Sequence, residues 1–207
     1  MVITWHGEGC FKLQNGDVSL LTDLPDTSTG ISAPRFKTDI LLKTLTPWPY
    51  DQKESNADRD VIGAGEYDIK NIKIKGYEIV AESSSKFFKT VYSIIWDDIT
   101  IGFLGHLSEE LPTQAKDELE ELDVLIGPAG GEPFIDQGKM VKLVKQLNPK
   151  IFIPSFYKIP GLKRKAKDIK DFTDEFNGEV KKAEEKFVFK KKDLADIKKT
   201  NIVCLKM

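Results

Sequence analysis

The chain has 207 residues, 40% hydrophobic and 31% charged, which suits one compact domain able to bury a core. Its 31 basic and 33 acidic side chains leave a net charge of −2, so the molecule as a whole is not a polycation built for phosphate backbones. No apolar run approaches the roughly 18 residues of a membrane span, and MVITWHGEGC lacks the basic start and apolar stretch of a signal peptide; a cytoplasmic protein with no membrane partner is expected.

Short β-rich runs fill the first half: VITW (2–5), CFKLQ (10–14), VSLLTD (18–23), DILLKT (39–44), IKIKGYEIVAE (72–82), VYSIIW (91–96) and ITIGFL (99–104). Asn15-Gly16-Asp17 and Asp97-Asp98 tolerate left-handed backbone and predict hairpins, so antiparallel pairing should prevail there. IKIKGYEI alternates apolar residues with lysine, as a strand with one buried face does.

The period changes in the second half. Leu111, Ala115, Leu119 and Leu122 predict a helix over 108–122, with Ser108 as its cap and Glu109 and Glu110 in its first turn. LDVLIGP (122–128) reads as a buried strand. Asp136 predicts the cap of a helix running to Leu147 and ending at Asn148-Pro149, before the strand IFIP (151–154). A third helix is predicted over 165–176, closed by Asn177-Gly178, and KFVFK (186–190) and NIVCLK (201–206) predict closing strands.

From 163 to 199 there are 13 basic and 9 acidic residues. KRKAK (163–167) and KKK (190–192) lack interleaved aromatics, so a solvated surface is the favoured reading and nucleic acid a disfavoured partner. GAGE (63–66) and GPAGG (127–131) fit tight turns better than phosphate loops. Cys10 and Cys204 form no metal or redox spacing. Only His6 and His106 are present, so three or more imidazoles cannot meet within one chain.

WHGEGCF, LLTD, PRFKTDILLKT, GAGEYDIKNIKIKG, ITIGFLGHL, LDVLIGPAGG and PKIFIPSFY, in that order, resemble the metallo-β-lactamase superfamily. The likeness covers about residues 2–160 and more narrowly resembles the stand-alone bacterial Zn-dependent hydrolases similar to L-ascorbate-6-phosphate lactonase. It implies an α/β fold of αββα four-layer type, two mixed β-sheets flanked by helices, spanning 1–207 as a single domain with a basic C-terminal segment. It also implies a dinuclear metal site at one sheet edge, where metals about 2.0–2.2 Å from their ligands activate water.

This chain departs from the family's ligand motifs. The HxHxDH position reads Leu45-Thr46-Pro47-Trp48-Pro49-Tyr50, or with a shift ends at Asp51-Gln52. Gly105-His106-Leu107 stands for the bridging Gly-Asp-Leu, Pro154-Ser155-Phe156-Tyr157 for Pro-x-His-Tyr, and Gly7-Glu8 for the early Gly-His. The scaffold positions Asp23, Gly65-Glu66-Tyr67 and Gly130-Gly131 match. Leucine, proline and phenylalanine donate no lone pair, so neither a metal nor another cofactor is expected.

Glu8, Asp23, Asp51, Glu66 and His106 are the polar candidates near this position. The plainer reading makes Asp23 and Glu66 acceptors for loop amides, Glu8 a solvated acid and His106 a lone polar residue at a strand end. Trp48, Tyr50, Phe156 and Tyr157 could line an apolar recess or pack it shut, and Trp48, Tyr50 and Phe156 are expected to meet at the sheet edge. The leading expectation is a pseudoenzyme that binds a protein or small-molecule partner, itself included as a homo-oligomer. A remodelled hydrolase of a lactone, ester or phosphoester, with His106 as base, is the rival.

Overall fold

A computed structural model describes residues 1–51, 56–182 and 185–207. The strands are β1 Val2–Trp5, β2 Phe11–Asn15, β3 Val18–Thr22, β4 Thr38–Lys43, β5 Leu45–Pro47, β6 Ala57–Ile62, β7 Gly65–Ile69 and β8 Ile72–Glu78. They continue with β9 Phe87–Trp96, β10 Ile99–Phe103, β11 Val124–Pro128, β12 Ile151–Ser155, β13 Val180–Lys182, β14 Lys186–Val188 and β15 Asn201–Cys204. The helices are α1 Thr113–Leu119, α2 Gln137–Leu147 and α3 Ile169–Phe176.

Two mixed sheets result. The first runs β14-β1-β2-β3-β4-β6, and the second β13-β15-β12-β11-β10-β9-β8-β7 with β5 also on β9. Hairpins make the antiparallel parts: Asp97 and Asp98 take φ of 48° and 62° between β9 and β10, and Lys70 and Asn71 take 53° and 63° between β7 and β8. Such left-handed pairs match the twist of the strands they join. The parallel parts come from crossovers, in which β10, α1, β11, α2 and β12 alternate.

Alternation along each strand decides which side chains enter the core. Ile3, Phe11, Leu13, Leu20, Ile40 and Leu42 from the first sheet meet Ile74, Tyr92, Ile94, Ile101, Val124 and Ile153 from the second in one buried cluster. The opposite face of the second sheet, with Leu125, Phe152 and Ile202, packs on Ala115 and Leu119 of α1, Met140 and Val144 of α2, and Phe172 and Phe176 of α3. Outside the first sheet Cys10, Leu21 and Leu41 lie under Leu24 and Phe36, so that outer layer is supplied by the 24–36 connection and not by an α-helix. No helix among the described residues is long and apolar enough to cross a membrane.

Several elements differ from expectation in extent. The helix expected over 108–122 is only α1: the amides of Ser108 and Glu109 donate to the Glu82 carboxylate, each at 2.8 Å, and the helix starts after Pro112. A carboxylate brought from another part of the chain satisfied those amides in place of a helical cap. The 72–82 run stops at Glu78 and turns through a short 3-10 helix, Val80–Glu82. The third helix begins at Ile169, where the Asp168 side chain accepts from the Lys170 amide at 2.9 Å. Asp136 does cap α2, and left-handed Asn148 and Asn177 end α2 and α3.

Candidate functional site

Several strand ends open on one edge of the sandwich. Parallel pairing of β3 with β4 places Asp23 and Thr44 side by side just past their ends. There the Thr44 amide donates to Asp23 Oδ1 at 2.7 Å and the Thr44 hydroxyl to Asp23 Oδ2 at 2.6 Å. His106 follows β10, and its Nδ1 lies 2.8 Å from Thr44 Oγ1. Thr44 has one hydroxyl proton and it is engaged with Asp23, so Oγ1 accepts from His106 and the imidazole carries its proton on Nδ1. This approach needs Gly105, since a Cβ there would lie 2.0 Å from Thr44 Oγ1.

His106 Nε2 has no hydrogen-bond partner among the described residues, and the side chain, 18% exposed, lines a cleft at this edge. Burial lowers the pKa of this imidazole; Asp23 pulls it up, Lys89 down, Glu8 up and Arg164 down, and the sum lies below the ordinary histidine value. At neutral pH the ring is therefore neutral and Nε2 is an acceptor.

Phe156 follows β12 with a left-handed φ of 57°, and only 2% of it is exposed. Its ring lies 4.9 Å from that of His106 and 4.2 Å from that of Phe134. A Cβ on Gly9 would come within 2.5 Å of Phe156 Cζ, so the aromatic tip occupies the space beside that glycine.

Glu8, in the turn between β1 and β2, has a left-handed φ of 52°. Arg164 grips its carboxylate in bidentate fashion, Nε to Oε2 at 2.7 Å and Nη2 to Oε1 at 2.8 Å, and also donates to the Phe156 carbonyl. The guanidinium carbon lies 5.1 Å from the Phe134 ring centre and 5.8 Å from that of Phe156. Glu8 is thus a paired acid with only 6% of its side chain exposed, not the solvated one anticipated.

Between these groups opens a cleft of about 660 Å³, lined by Glu8, Gly9, Asp23, Lys43, Leu45, Pro47, His106, Phe134, Phe156 and Arg164 together with the 24–33 connection. Six of the sequence candidates therefore come together: Glu8, Asp23, Leu45, Pro47, His106 and Phe156.

Five do not line the cleft. Trp48 is 60% exposed and packs on Phe88, because pairing of β5 with β9 carries the chain toward the second sheet. The Tyr50 hydroxyl donates to Asp60, and Asp51 is exposed. Glu66 stands on β7 in a separate groove with Lys73 and Ile95. Tyr157 is buried against Trp5 and donates to the Leu205 carbonyl at 2.9 Å. The expected meeting of Trp48, Tyr50 and Phe156 is replaced by one of Leu45, Pro47 and Phe156; Gln52 lies outside the described residues.

Sequence reasoning missed Thr44, Phe134, Lys43 and, above all, Arg164. Arg164 sits in the KRKAK run, which reads as a solvated surface, although a lone guanidinium among lysines is the group suited to bidentate capture of a carboxylate. Among the described residues no three His, Cys, Asp or Glu side chains are grouped so as to hold a metal ion.

The family model for the beta-lactamase superfamily domain matches residues 2–155. A Thermotoga maritima protein assigned to the Zn-dependent hydrolases of the metallo-beta-lactamase superfamily is similar in structure, with a TM-score of 0.79 at 24% identity over 99% of both chains. So is Igni18, a metallo hydrolase from Ignicoccus hospitalis, at 0.63 and 16% over 91% of this chain and 99% of that one. The metallo-beta-lactamase fold protein YhfI from Bacillus subtilis gives 0.58 at 8% over 99% and 96%. At these identities the likeness is one of fold. No curated protein matches the sequence.

Proposed function

Because the chain belongs to the beta-lactamase superfamily domain family, we propose that it is a metal-free member of that fold whose cleft binds a ligand in place of hydrolysing one. The observation that supports this is the pairing of Glu8 with Arg164 beside the buried Phe156 ring.

The residues present do not fit a dinuclear centre. Such a centre needs several imidazole and carboxylate donors free to aim at common points. Here Glu8 has both oxygens on Arg164, Asp23 has both on Thr44, and His106 uses Nδ1 on the same hydroxyl. Leu45, Pro47 and Phe156, which also line the cleft, offer no lone pair. Arginine stays protonated, so a fixed positive charge already holds the acid a metal would need. What remains is an aromatic wall, one imidazole acceptor and the Lys43 ammonium.

Protein purified without chelator should contain zinc far below one ion per chain by elemental analysis, and its melting temperature should be unchanged by EDTA. One or two zinc ions per chain, or a fall of more than several degrees in chelator, would overturn the proposal, since a linked ligand is worth about 3 kcal/mol at a hundredfold excess over Kd.

A second reading, hydrolysis of a lactone, ester or phosphoester with His106 as general base, has the Thr44-oriented imidazole in its favour. Turnover of p-nitrophenyl acetate that disappears in His106→Asn would carry it.

A further inference from the structure

The cleft is polar at two places and apolar between them. His106 lines the cleft with a ring fixed by Thr44, and its Nε2 is an acceptor without a partner among the described residues. Lys43, on the same cleft, forms no ion pair with a described residue; its ammonium lies 4.9 Å from the Tyr50 ring centre. Leu45, Pro47, Phe134 and Phe156 supply the apolar surface, and about 660 Å³ falls within the range of about 300–1,000 Å³ typical of small-molecule sites.

We infer that the cleft takes a small organic anion that also carries a hydroxyl or N–H: the anion meets Lys43 Nζ, the donor hydrogen-bonds to His106 Nε2, and an apolar body rests against Phe134 and Phe156. This rests on the metal-free reading of the same cleft.

Other ligand classes fit less well. A cation would meet Lys43 and find the Phe134 and Phe156 rings already beside Arg164. A neutral apolar molecule would cover an unpaired ammonium and an unpaired acceptor, and buried polar groups left unpaired cost affinity. Of the acids on the cleft only Glu8 is neutralised, by Arg164; Asp23, held by Thr44, and Asp26, which accepts from the Ser28 amide at 2.7 Å, keep their charges, but none of the three is in ion-pair contact with Lys43, so its ammonium is left for a ligand.

The test uses the full chain in EDTA with three probes followed by calorimetry and ligand-observed NMR. 4-Hydroxyphenylacetate carries both features, 4-methoxyphenylacetate lacks the donor and 4-hydroxyphenylacetamide lacks the charge. The first should bind, with each of the others weaker by about tenfold, the cost of one unpaired polar contact. His106→Asn keeps a side-chain N–H for Thr44 but has no counterpart of Nε2. It should therefore cost about tenfold toward 4-hydroxyphenylacetate and little toward the methoxy probe, without altering the melting temperature. Lys43→Met should show the complementary loss, toward both carboxylates and not the amide. No binding of 4-hydroxyphenylacetate up to about 10 mM, below the range of specific recognition, would overturn the inference, as would equal binding of all three probes or variants that bind as the native protein does. If zinc proves substoichiometric and the probes still fail, this inference falls alone; stoichiometric zinc removes the reading beneath it.

Discussion

Glu8 and Arg164 lie 156 positions apart, yet their contact is the most desolvated ion pair at the cleft. With Glu8 nearly buried, removing its partner leaves an uncompensated charge, which costs more than removing both. Arg164→Ala should therefore destabilise the fold by about 3–5 kcal/mol in urea titrations, while the double variant Glu8→Gln with Arg164→Met should recover most of that loss. A loss below about 1 kcal/mol for Arg164→Ala would mean that the pair behaves as a surface contact. At this scale the sequence was readable where it pointed to one edge of the fold, as Leu45, Pro47 and Phe156 all line the cleft. It was opaque where a role depends on a distant partner: nothing near position 164 in the chain announces Glu8, and Thr44 becomes notable only once Asp23 and His106 close on it.

At the scale of elements, strands with strict alternation or two-residue turns were legible. Those built on polar residues, β6 with its Asp58, Arg59 and Asp60 and the three-residue β5 and β13, carried too little apolar signal to be seen. One buried acid shows how the elements are fastened. Asp123, just before β11, has 2% of its side chain exposed, accepts from the Thr100 amide at 2.9 Å, and pairs with Lys150 at 2.9 Å and Lys191 at 2.5 Å. Burial pushes its carboxyl pKa up, but Lys191, the Thr100 amide and Lys150 outweigh that and hold it below the ordinary value. A carboxyl depressed in the folded state adds stability above its unfolded pKa of about 3.9, and that stability is lost as pH falls through the lower folded value. Asp123→Asn should therefore cost about 1.5–3 kcal/mol at pH 7, the worth of hydrogen bonds to a charged group. The gap from the native protein should narrow as pH drops below about 4. An equal deficit at pH 7 and in acid would show that the charge is not what matters.

At the scale of the molecule, the likeness to a known family named the sandwich, and KFVFK and NIVCLK announced the closing strands β14 and β15, while the partners of those strands had to be seen in place. β14 pairs with β1, and β15 stands between β12 and β13, so the basic C-terminal segment contributes to both sheets. The Phe189 amide donates to the Met1 carbonyl at 3.1 Å. Residues 1–160 alone should consequently fail to give a cooperative melt, and the full chain should unfold in one transition by both circular dichroism and calorimetry. Two separable transitions, or a folded 1–160 fragment, would divide the chain into independent units. The sequence could not show which sheet each closing strand joins, because the partners lie far away in the chain, and β13 is only three residues long.

The close approach of Phe156 to Gly9 also makes substitution at one position depend on the other. A ring at 156 in its present place excludes a Cβ at 9, whereas a glycine at 9 makes no demand on position 156. The dependence runs one way. A side chain can therefore enter at 9 only if the Phe156 ring moves or is shortened, whereas a smaller residue at 156 leaves Gly9 as it is.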